Sequence, residues 1–397
     1  MIRKYDFDEV IDRRGSGCIK YDAIKKKDVI PMWIADMDFA TPDFVLDAMR
    51  KRMDNPVFGY AKIPDNYYST IAGWVEGLHG WKVDEEWICY IPGIVKGIGF
   101  ALCAMLQKGD KVIIQPPVYP PFRNVPLGNG MKLLENPLLP QYDGNGALKG
   151  YEMDLEGLQK CVDKGAKILV MSNPHNPAGI CWSRETLEKV AEITSKAGVI
   201  VISDEIHAEM ALKGHKHIPY ASVSKAAAKN SITFMAPSKT FNIAGIVSSY
   251  AIVPNPVLRK KFFGFIKANE IDFPSIFSIE ATMAAYSKGA SWRRQMLAYV
   301  EGNIDFLEKY LKENIPQVRI VRPQASFLVW VDLRALALPQ DKLMALLENK
   351  ARLVLSDGTI FGKEGTGFVR LNVGCPRCIL EQALGRLAAI AGKSPLK

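Results

Sequence analysis

The sequence predicts an α/β fold, in which helices sandwich a mostly parallel sheet and a smaller α+β domain lies beside it. Three observations support this prediction. Between about residues 87 and 253, apolar runs of strand length alternate with segments of helical periodicity. The apolar runs are typical of strands buried on both faces of a parallel sheet. After residue 275 the pattern changes to long helical segments followed by further strands, which indicates a second domain.

Six segments are predicted to be strands of the main sheet, in the order WICYIPG, KVIIQPP, KILVMSNP, VIVISDE, SITFMAPS and VSSYAIVP. Helices are predicted between them, for example at FALCAML and RETLEKVAEITSKAG. In the C-terminal part, helical segments at 275–288 and 291–313 precede two predicted strands, ASFLVWVDL and FVRLNVG. A final helix is expected near 377–391.

Composition is that of a globular protein. The chain has 397 residues, of which 48% are hydrophobic, and this length is sufficient for two domains with an ample core. No apolar run reaches the length of a membrane span, and MIRKYDFDEV lacks the apolar stretch of a signal peptide. We therefore expect a cytoplasmic protein without a membrane partner. The seven cysteines are odd in number and irregularly spaced, which argues against a disulfide framework.

Charge and metal-ligand spacing point to neither nucleic acid nor a metal. The net charge of +9 comes from lysines and arginines spread along the chain, and no helix-turn-helix or zinc-finger pattern is present. Cys375 and Cys378 form a single CxxC pair, which leaves the role of the pair open. His215 and His217 lie in a segment predicted to be a polar loop, without further ligands nearby. We expect no nucleic-acid partner and no metal.

Three polar segments follow three of the predicted strands. SNPHNPAG (172–179) contains Asn176, ISDEIH (202–207) contains Asp204, and MAPSKTFNIAG (235–245) contains Lys239. Because ligands bind at the carboxyl ends of parallel strands, we expect these side chains to share one site. An asparagine, an aspartate and a lysine together meet the requirements of pyridoxal 5′-phosphate.

Each of these residue types suits one part of that cofactor. The Lys239 amine can form a Schiff base with an aldehyde, and burial favours its neutral form. The Asp204 carboxylate can hold the pyridine nitrogen protonated, whereas without a cationic partner its burial is costly. The Asn176 amide can donate a hydrogen bond to the ring phenolate oxygen. Taken singly, such a lysine is commonly a surface residue, an Asp-Glu pair commonly marks a turn or the start of a helix, and the asparagine motif is commonly a turn. The prediction therefore depends on their combination.

The order NPHNPAG, SDEIH and SKTFNIAG resembles the aspartate-aminotransferase superfamily, which is fold type I of the pyridoxal-phosphate enzymes. PMWIADMDF, FGY, PGIVKGI and RLNVGCPR are similar to the MalY/PatB group of cystathionine β-lyases, which are carbon–sulfur lyases. The resemblance covers nearly the whole chain. It implies a large cofactor-binding domain at 46–285, a small domain built from 1–45 and 286–397, and a homodimer.

A phosphate site is predicted where the strand WICYIPG meets a helix beginning near Ile94. Backbone amides at a helix N-terminus suit an anion, and the resemblance assigns this role to Gly93, Ile94 and Val95. The Ser238 hydroxyl is a further candidate donor. Many superfamily members place an arginine eight residues after the Schiff-base lysine, but Val247 occupies that position here. The role of Lys96, in the same stretch, stays open between solvent and the phosphate.

The resemblance implies roles for five more residues. Tyr119 would stack on the pyridine ring, although a core tyrosine is the alternative. His207 would contact the phenolate oxygen, or else be a core histidine. Tyr60 would reach the phosphate of the neighbouring subunit. Arg370 would bind the α-carboxylate of an amino-acid substrate through two parallel hydrogen bonds, and Ala35 would offer a backbone amide to the same group. Asn176 is expected to contact the substrate as well as the cofactor.

Three functions are compatible with these residues. The leading one is β-elimination from cystathionine or a related cysteine thioether, which gives pyruvate, ammonia and a thiol. The second is amino transfer, because the same residues serve both reactions. The third is a non-catalytic regulator, which the presence of Lys239, Asp204, Asn176 and Arg370 disfavours. The sequence does not identify the physiological substrate.

Overall fold

Residues 3–391 are described by the computed structural model, and the strands among them form four sheets. The strands are β1 (Ile30–Pro31), β2 (Ile88–Ile91), β3 (Lys111–Ile114), β4 (Lys132–Glu135), β5 (Leu139–Tyr142), β6 (Leu148–Glu152), β7 (Ala166–Ser172), β8 (Ile200–Asp204), β9 (Ser231–Met235), β10 (Ser249–Ile252), β11 (Arg319–Val321), β12 (Leu328–Asp332), β13 (Leu353–Val354), β14 (Ser356–Asp357) and β15 (Phe368–Asn372).

The α-helices of the described chain connect and cover these sheets. They are α1 (Ile19–Asp22), α2 (Asp43–Met53), α3 (Tyr67–His79), α4 (Ile94–Met105), α5 (Pro121–Gly128), α6 (Leu155–Asp163), α7 (Arg184–Lys196), α8 (Lys225–Lys229), α9 (Pro256–Ala268), α10 (Ile276–Lys288), α11 (Ala290–Asn314), α12 (Gln340–Asn349) and α13 (Arg377–Ala391). Among the helices of residues 3–391, none combines the length and the hydropathy that a membrane span requires.

The largest sheet has seven strands in the order β2, β10, β9, β8, β7, β3 and β4. β8 pairs in parallel with β7 and β9, and β3 pairs in parallel with β7 and β4. β10 runs antiparallel to both of its neighbours. The prediction of a mostly parallel sheet is confirmed, and the segment VSSYAIVP contributes its one reversed strand.

Helices bury this sheet on both faces, which explains its apolar strands. Ile168 and Val170 of β7 pack in a cluster that includes residues of α4 and α9. Leu169 and Met171, which alternate with them, pack in a second cluster that includes residues of α6 and α7. Because successive strand residues point to opposite faces, a strand covered on both sides has to be apolar throughout.

A second sheet of four antiparallel strands, in the order β11, β12, β15 and β14, lies in the C-terminal part of the chain. Arg370 lies in β15, where it pairs with Trp330 of β12 and Ser356 of β14. β1 pairs in parallel with β13, so the N-terminal segment lies against C-terminal residues. The domain division at residues 45 and 285 stays a prediction.

Several elements were not identified from the sequence. β4 lies at the edge of the large sheet and is partly exposed, so its residues KLLE form no continuous apolar run. The antiparallel pair of β5 and β6 is mostly exposed on β5, which also contains Pro140. The predicted helices at 275–288, 291–313 and 377–391 correspond to α10, α11 and α13 within two residues at each end.

Candidate active site

Loops at the carboxyl ends of the parallel strands enclose a cavity of about 300 Å³. Asn176 follows β7, Asp204 is the last residue of β8, and Lys239 follows β9. The structure brings ten of the twelve candidate residues together in the lining of this cavity: Ala35, Gly93, Ile94, Val95, Tyr119, Asn176, Asp204, His207, Ser238 and Lys239. The other two, Arg370 and Tyr60, lie outside the lining.

The Lys239 side chain projects into a polar but poorly solvated environment. Burial lowers the pKa of its amine to about 8, and the positive charge of Arg370 acts in the same direction. The carboxylates of Asp36 and Asp204 oppose this shift. Nζ donates a 2.6 Å hydrogen bond to the carbonyl oxygen of Ala35. An amine with such a pKa is still mostly protonated at pH 7, but its neutral fraction is far larger than that of an ordinary lysine, so it can act as a nucleophile or a base.

Asp204 is buried, with 6% of its surface exposed. Its Oδ1 accepts a 3.1 Å hydrogen bond from the backbone amide of Ile206. Burial raises the pKa of the carboxyl from 3.8 to about 7, against the opposing effects of this amide and of Lys239. A cation placed against the carboxylate would reverse that shift. The protonated nitrogen of a pyridine ring is such a cation, so Asp204 fits the predicted cofactor.

Arg370 adjoins the cavity through Asn176. Its Nη1 donates a 3.0 Å hydrogen bond to Oδ1 of Asn176, and the guanidinium lies 4.9 Å from the centre of the Phe361 ring. Burial lowers its pKa below the usual range for arginine, but the group keeps its charge at neutral pH. Its Nε is buried without a partner in the described chain, and its Nη2 donates to the carbonyl of Trp33 and the hydroxyl of Ser356 rather than to a carboxylate. A buried, unpaired guanidinium is suited to bind a carboxylate from a ligand.

The hydrogen bond between Arg370 and Asn176 also orients the Asn176 amide. Because Oδ1 accepts from Arg370, the NH₂ group of Asn176 is left to donate elsewhere. This orientation suits the predicted contact with a phenolate oxygen. Arg370 lies in the four-stranded sheet and Asn176 in the loop after a strand of the seven-stranded sheet, so their contact depends on how the two sheets pack together.

The N-terminus of α4 forms a cradle for an anion. Gly93 precedes the helix with φ of +100°, and its amide donates a 3.0 Å hydrogen bond to Oγ of Ser249. The first intrahelical bond to Gly93 is made by the amide of Gly97, so the preceding amides of the first turn are available to a ligand. Ser238, which is buried, lines the same cavity. Amides, hydroxyls and the helix dipole together suit a phosphate group.

Val247 and Lys96 also line the cavity near this cradle. Val247 occupies the position of the arginine that many superfamily members carry, and its φ of +55° is unusual for a β-branched residue. A Cβ on Gly93 would lie 3.7 Å from the Val247 side chain. Lys96 is exposed in the first turn of α4, and its role stays open.

Tyr119 and His207 complete the polar lining. Burial raises the pKa of the Tyr119 hydroxyl, so the group stays protonated at neutral pH. Burial also lowers the pKa of His207 to about 3, with further contributions from the charges of Lys239 and Arg370. His207 is therefore neutral, and its Nδ1 is buried without a hydrogen-bond partner in the described chain. Both candidate roles of His207, as a cofactor contact and as a core histidine, are compatible with this placement.

Tyr60 does not reach this cavity within one chain. It is fully exposed, in an irregular segment that also exposes Val57 and Phe58. A role for Tyr60 at an active site therefore requires a second subunit.

Sequence reasoning missed several residues that support the site. Glu205, next to Asp204, accepts a 2.7 Å hydrogen bond from His217, and both are buried. His217 lies in a loop as expected, but its ring is in the interior rather than in solvent. Ser356 and Phe361 contact Arg370. No local sequence signal marks these residues, because their contacts cross between distant parts of the chain.

Comparisons with known proteins agree with this geometry. A profile of the family described as aminotransferase class I and II matches residues 27–387. Cystathionine beta-lyase PatB of Bacillus subtilis is 39% identical, over 97% of this chain and 99% of that protein. The structure of a pyridoxal-phosphate-bound putative aminotransferase from Clostridium difficile has a TM-score of 0.93 and 40% identity, and the match covers 97% of this chain and 99% of that one. The structure of the pyridoxal-phosphate-bound C-S lyase from Staphylococcus hominis has a TM-score of 0.89 and 31% identity. That match covers 98% of this chain and 100% of the lyase chain.

Proposed function

This chain belongs to the class I and II aminotransferase family, and we propose that within it the protein is a pyridoxal-phosphate-dependent carbon–sulfur lyase. Its substrate is L-cystathionine or a related cysteine thioether, and the products are pyruvate, ammonia and a thiol. One observation carries the proposal: the amine of Lys239, with its lowered pKa, shares a cavity with Asp204 and the N-terminus of α4. The similarity to cystathionine beta-lyase PatB over nearly the whole chain supports the lyase reaction in particular.

The residues of the cavity fit the cofactor part by part. Lys239 would hold its aldehyde carbon, Asp204 its pyridine nitrogen, and the first turn of α4 with Ser238 its phosphate. Asn176 and His207 would lie at the phenolate oxygen, and Tyr119 against the ring face. When bound, the cofactor supplies an electron-withdrawing ring that stabilises negative charge at the substrate α-carbon.

Arg370 and Ala35 would orient the substrate. The guanidinium would hold the α-carboxylate through two parallel hydrogen bonds, and the backbone amide of Ala35 would add a third. This arrangement fixes the α-carbon in front of Lys239, whose carbonyl partner at Ala35 lies in the same peptide segment. Binding in one orientation converts proton abstraction into an effectively intramolecular step.

Lys239 would carry the proton in the elimination. Its amine takes the α-proton, and the bond between the β-carbon and sulfur breaks with both electrons leaving on sulfur. The thiolate then takes up a proton. The released 2-aminoacrylate reacts with water to give pyruvate and ammonia, so the reaction needs no second substrate other than water.

We propose a homodimer in which Tyr60 completes the phosphate site of the neighbouring subunit. The support is the exposure of Tyr60 together with the apolar side chains of Val57, Phe58 and Phe273. Exposed apolar surface of this kind is typical of an interface. A cytoplasmic location is proposed as well, because the seven cysteines are all free, as is usual in reducing compartments.

Amino transfer is the second candidate function. The specific observation in its favour is the similarity to the structure of the putative aminotransferase from Clostridium difficile. The site residues serve that reaction equally well, since it also begins with removal of the α-proton. The two functions differ in whether a keto acid is needed for turnover.

Incubation of the purified holoenzyme with L-cystathionine tests the proposal. We expect pyruvate and free thiol to appear in equal amounts without any added keto acid. Turnover that depends strictly on a keto acid, with no pyruvate or thiol from L-cystathionine alone, would establish the aminotransferase function instead.

A further inference from the structure

An irregular segment crosses the site without forming a helix or strand, and we call these residues, WIADMDF, the 33–39 segment. Its peptide groups depend on side chains for their hydrogen bonds. Each carbonyl from Trp33 to Met37 accepts at least one hydrogen bond from a side chain; the donors are Arg370, Ser356, Asn372, Lys239, Lys20, Asn242 and Arg13. The position of the segment is therefore set by side chains of other elements.

Lys239 and Arg370, which are expected to act on the substrate, both bond to this segment, at residues that are two positions apart. Nζ of Lys239 donates to the carbonyl of Ala35 at 2.6 Å, and Nη2 of Arg370 donates to the carbonyl of Trp33 at 3.2 Å. In the proposed reaction the amine acts on the α-carbon, and the guanidinium holds the carboxylate bonded to that carbon. The separation of the two groups therefore has to match the substrate closely.

Asn372 fixes the segment to the strand that carries Arg370. Its Nδ2 donates to the carbonyls of Ile34 at 2.6 Å and Asp36 at 2.7 Å, and its Oδ1 accepts from the amide of Gly374 at 2.9 Å. Asn372 is 1% exposed. Both hydrogens of its NH₂ group are therefore donated to the two carbonyls that flank Ala35.

Asn242 fixes the segment to the loop that carries Lys239. Its Nδ2 donates to the carbonyls of Met37 at 2.9 Å and Phe39 at 2.7 Å, and its Oδ1 accepts from the amide of Met37 at 3.0 Å. Its φ of +52° lies in the left-handed region, which asparagine tolerates better than most residues. The two asparagines thus join the segment to both functional elements.

A buried charge cluster holds the other side of the segment. Lys20, which is 1% exposed, donates to Oδ2 of Asp38 at 2.8 Å. Arg13 bonds to Oδ1 of Asp38 at 2.7 Å and to Oδ2 of Asp36 at 2.9 Å. Loss of one partner would leave an uncompensated buried charge, so the cluster resists displacement of the segment.

We propose that the 33–39 segment sets the separation between Lys239 and Arg370, and that Asn242 and Asn372 are positioning residues for substrate binding. The inference rests on the proposed function, because it concerns the same substrate site. The side-chain hydrogen bonds of both asparagines go to backbone groups, most of them in the segment, so each acts through the segment rather than on the substrate.

The test uses holoenzyme with Asn372→Ala or Asn242→Ala. Binding of L-alanine and of L-alaninamide is followed by the change in cofactor absorption, since the pair differs in the carboxylate that Arg370 would hold. We expect the preference for L-alanine over L-alaninamide to fall about tenfold, and kcat/KM for L-cystathionine to fall on the order of 10- to 100-fold. Asn242 is less buried than Asn372, so its variant serves if Asn372→Ala does not fold.

Asn303→Ala is the matched control. Asn303 is fully buried, donates from Nδ2 to the carbonyls of Val373 and Cys375, and accepts from Nε of Arg377. Asn303, in α11, therefore has the same residue type and the same number of side-chain hydrogen bonds as Asn372. Its partners follow Asn372 closely in the sequence, and it does not contact the 33–39 segment. Its variant should lose a comparable amount of thermal stability while the ligand preference stays within about twofold of the wild type.

Two outcomes overturn the inference. In the first, the Asn372 and Asn242 variants lose thermal stability but keep the wild-type ligand preference. In the second, Asn303→Ala lowers the preference as much as they do, which would make the effect one of general loosening. A wild-type protein that neither binds the cofactor nor acts on L-cystathionine contradicts the proposed function itself, and it is recognised before any variant is compared.

Discussion

Arg370 and Asn176 are joined by a 3.0 Å hydrogen bond across 194 positions of the sequence. Arg370 lies in the four-stranded sheet and Asn176 follows a strand of the seven-stranded sheet. The proposed carboxylate ligand and the proposed donor to the cofactor oxygen thus form one unit. With these proposed roles, the contact would align the substrate and cofactor parts of the site in advance, and such preorganisation lowers the entropic cost of reaching the reactive geometry.

Lys239 is predicted to hold the cofactor covalently. Its position after β9, its lowered pKa and its place in the cavity make it the suitable nucleophile. Reduction of the holoenzyme with borohydride, followed by peptide mass mapping, should locate the pyridoxyl group on Lys239. The neighbouring Lys96 provides an internal comparison, because it lines the same cavity but is exposed. A label on any other lysine removes the assignment.

Asp204→Asn is predicted to stabilise the protein without cofactor while abolishing most of its activity. Burial raises the pKa of the Asp204 carboxyl from 3.8 to about 7. The unfolded chain therefore releases this proton at a lower pH than the folded one, so the carboxyl destabilises the folded apoprotein increasingly as pH rises from about 4 to 7, and fully above that. At pH 8 we expect the variant to gain on the order of 1–3 kcal/mol.

The gain should shrink as pH falls toward 5, and thermal unfolding of both apoproteins at pH 5 and pH 8 measures it. With the cofactor bound, the wild type should be more stable than Asp204→Asn, because in the variant the pyridine nitrogen lacks its carboxylate partner. Equal free energies of unfolding for the two apoproteins at pH 8 would contradict this prediction. They would mean that another group in the apoprotein offsets the desolvation of the Asp204 carboxylate.

Much of this site could be predicted from sequence because its residues follow strands. Asp204 ends a strand, and Asn176 and Lys239 each lie four residues beyond one, so parallel strands bring all three positions to one edge. The reversed direction of β10 was not predicted, because an apolar strand looks the same in either direction. The contact between Arg370 and Asn176 was not predicted either, since it depends on the packing of two sheets. Tyr60 and the domain division stay predictions.

A shared active site predicts complementation between subunits. Tyr60 is exposed within one chain, and the proposed homodimer places it at the phosphate of the partner. Tyr60→Phe and Lys239→Ala should each have little activity alone. When equal amounts of the two variants are refolded together, half of the dimers should contain one subunit of each kind. Each of those dimers has one intact site out of two, so the mixture should show about a quarter of the wild-type activity. A mixture no more active than its components, or a fully active monomer, contradicts the shared site.

Arg370→Ala is predicted to weaken catalysis through loss of carboxylate binding. A charge-assisted pair contributes about 1.5–3 kcal/mol, so kcat/KM for L-cystathionine should fall roughly 10- to 150-fold. Arg370→Lys should recover part of this loss, because an ammonium lacks the planar pair of donors. The cofactor should stay bound, but its absorption should shift, because Arg370 orients the Asn176 amide and lowers the pKa of Lys239.

A purely structural role for Arg370 predicts a different result. The variant would then lose thermal stability, while the folded fraction kept a near-normal kcat/KM. Arg377→Ala is a suitable control, because Arg377 also packs on an aromatic ring, at 4.6 Å from Phe306, and bonds to Asn303 away from the cavity. The hydrogen bonds of the Arg370 side chain go to an amide oxygen, a backbone carbonyl and a hydroxyl. A structural arginine buried to this degree would need a carboxylate to offset its desolvation. We therefore expect the Arg377 variant to change stability alone and the Arg370 variant to change kcat/KM.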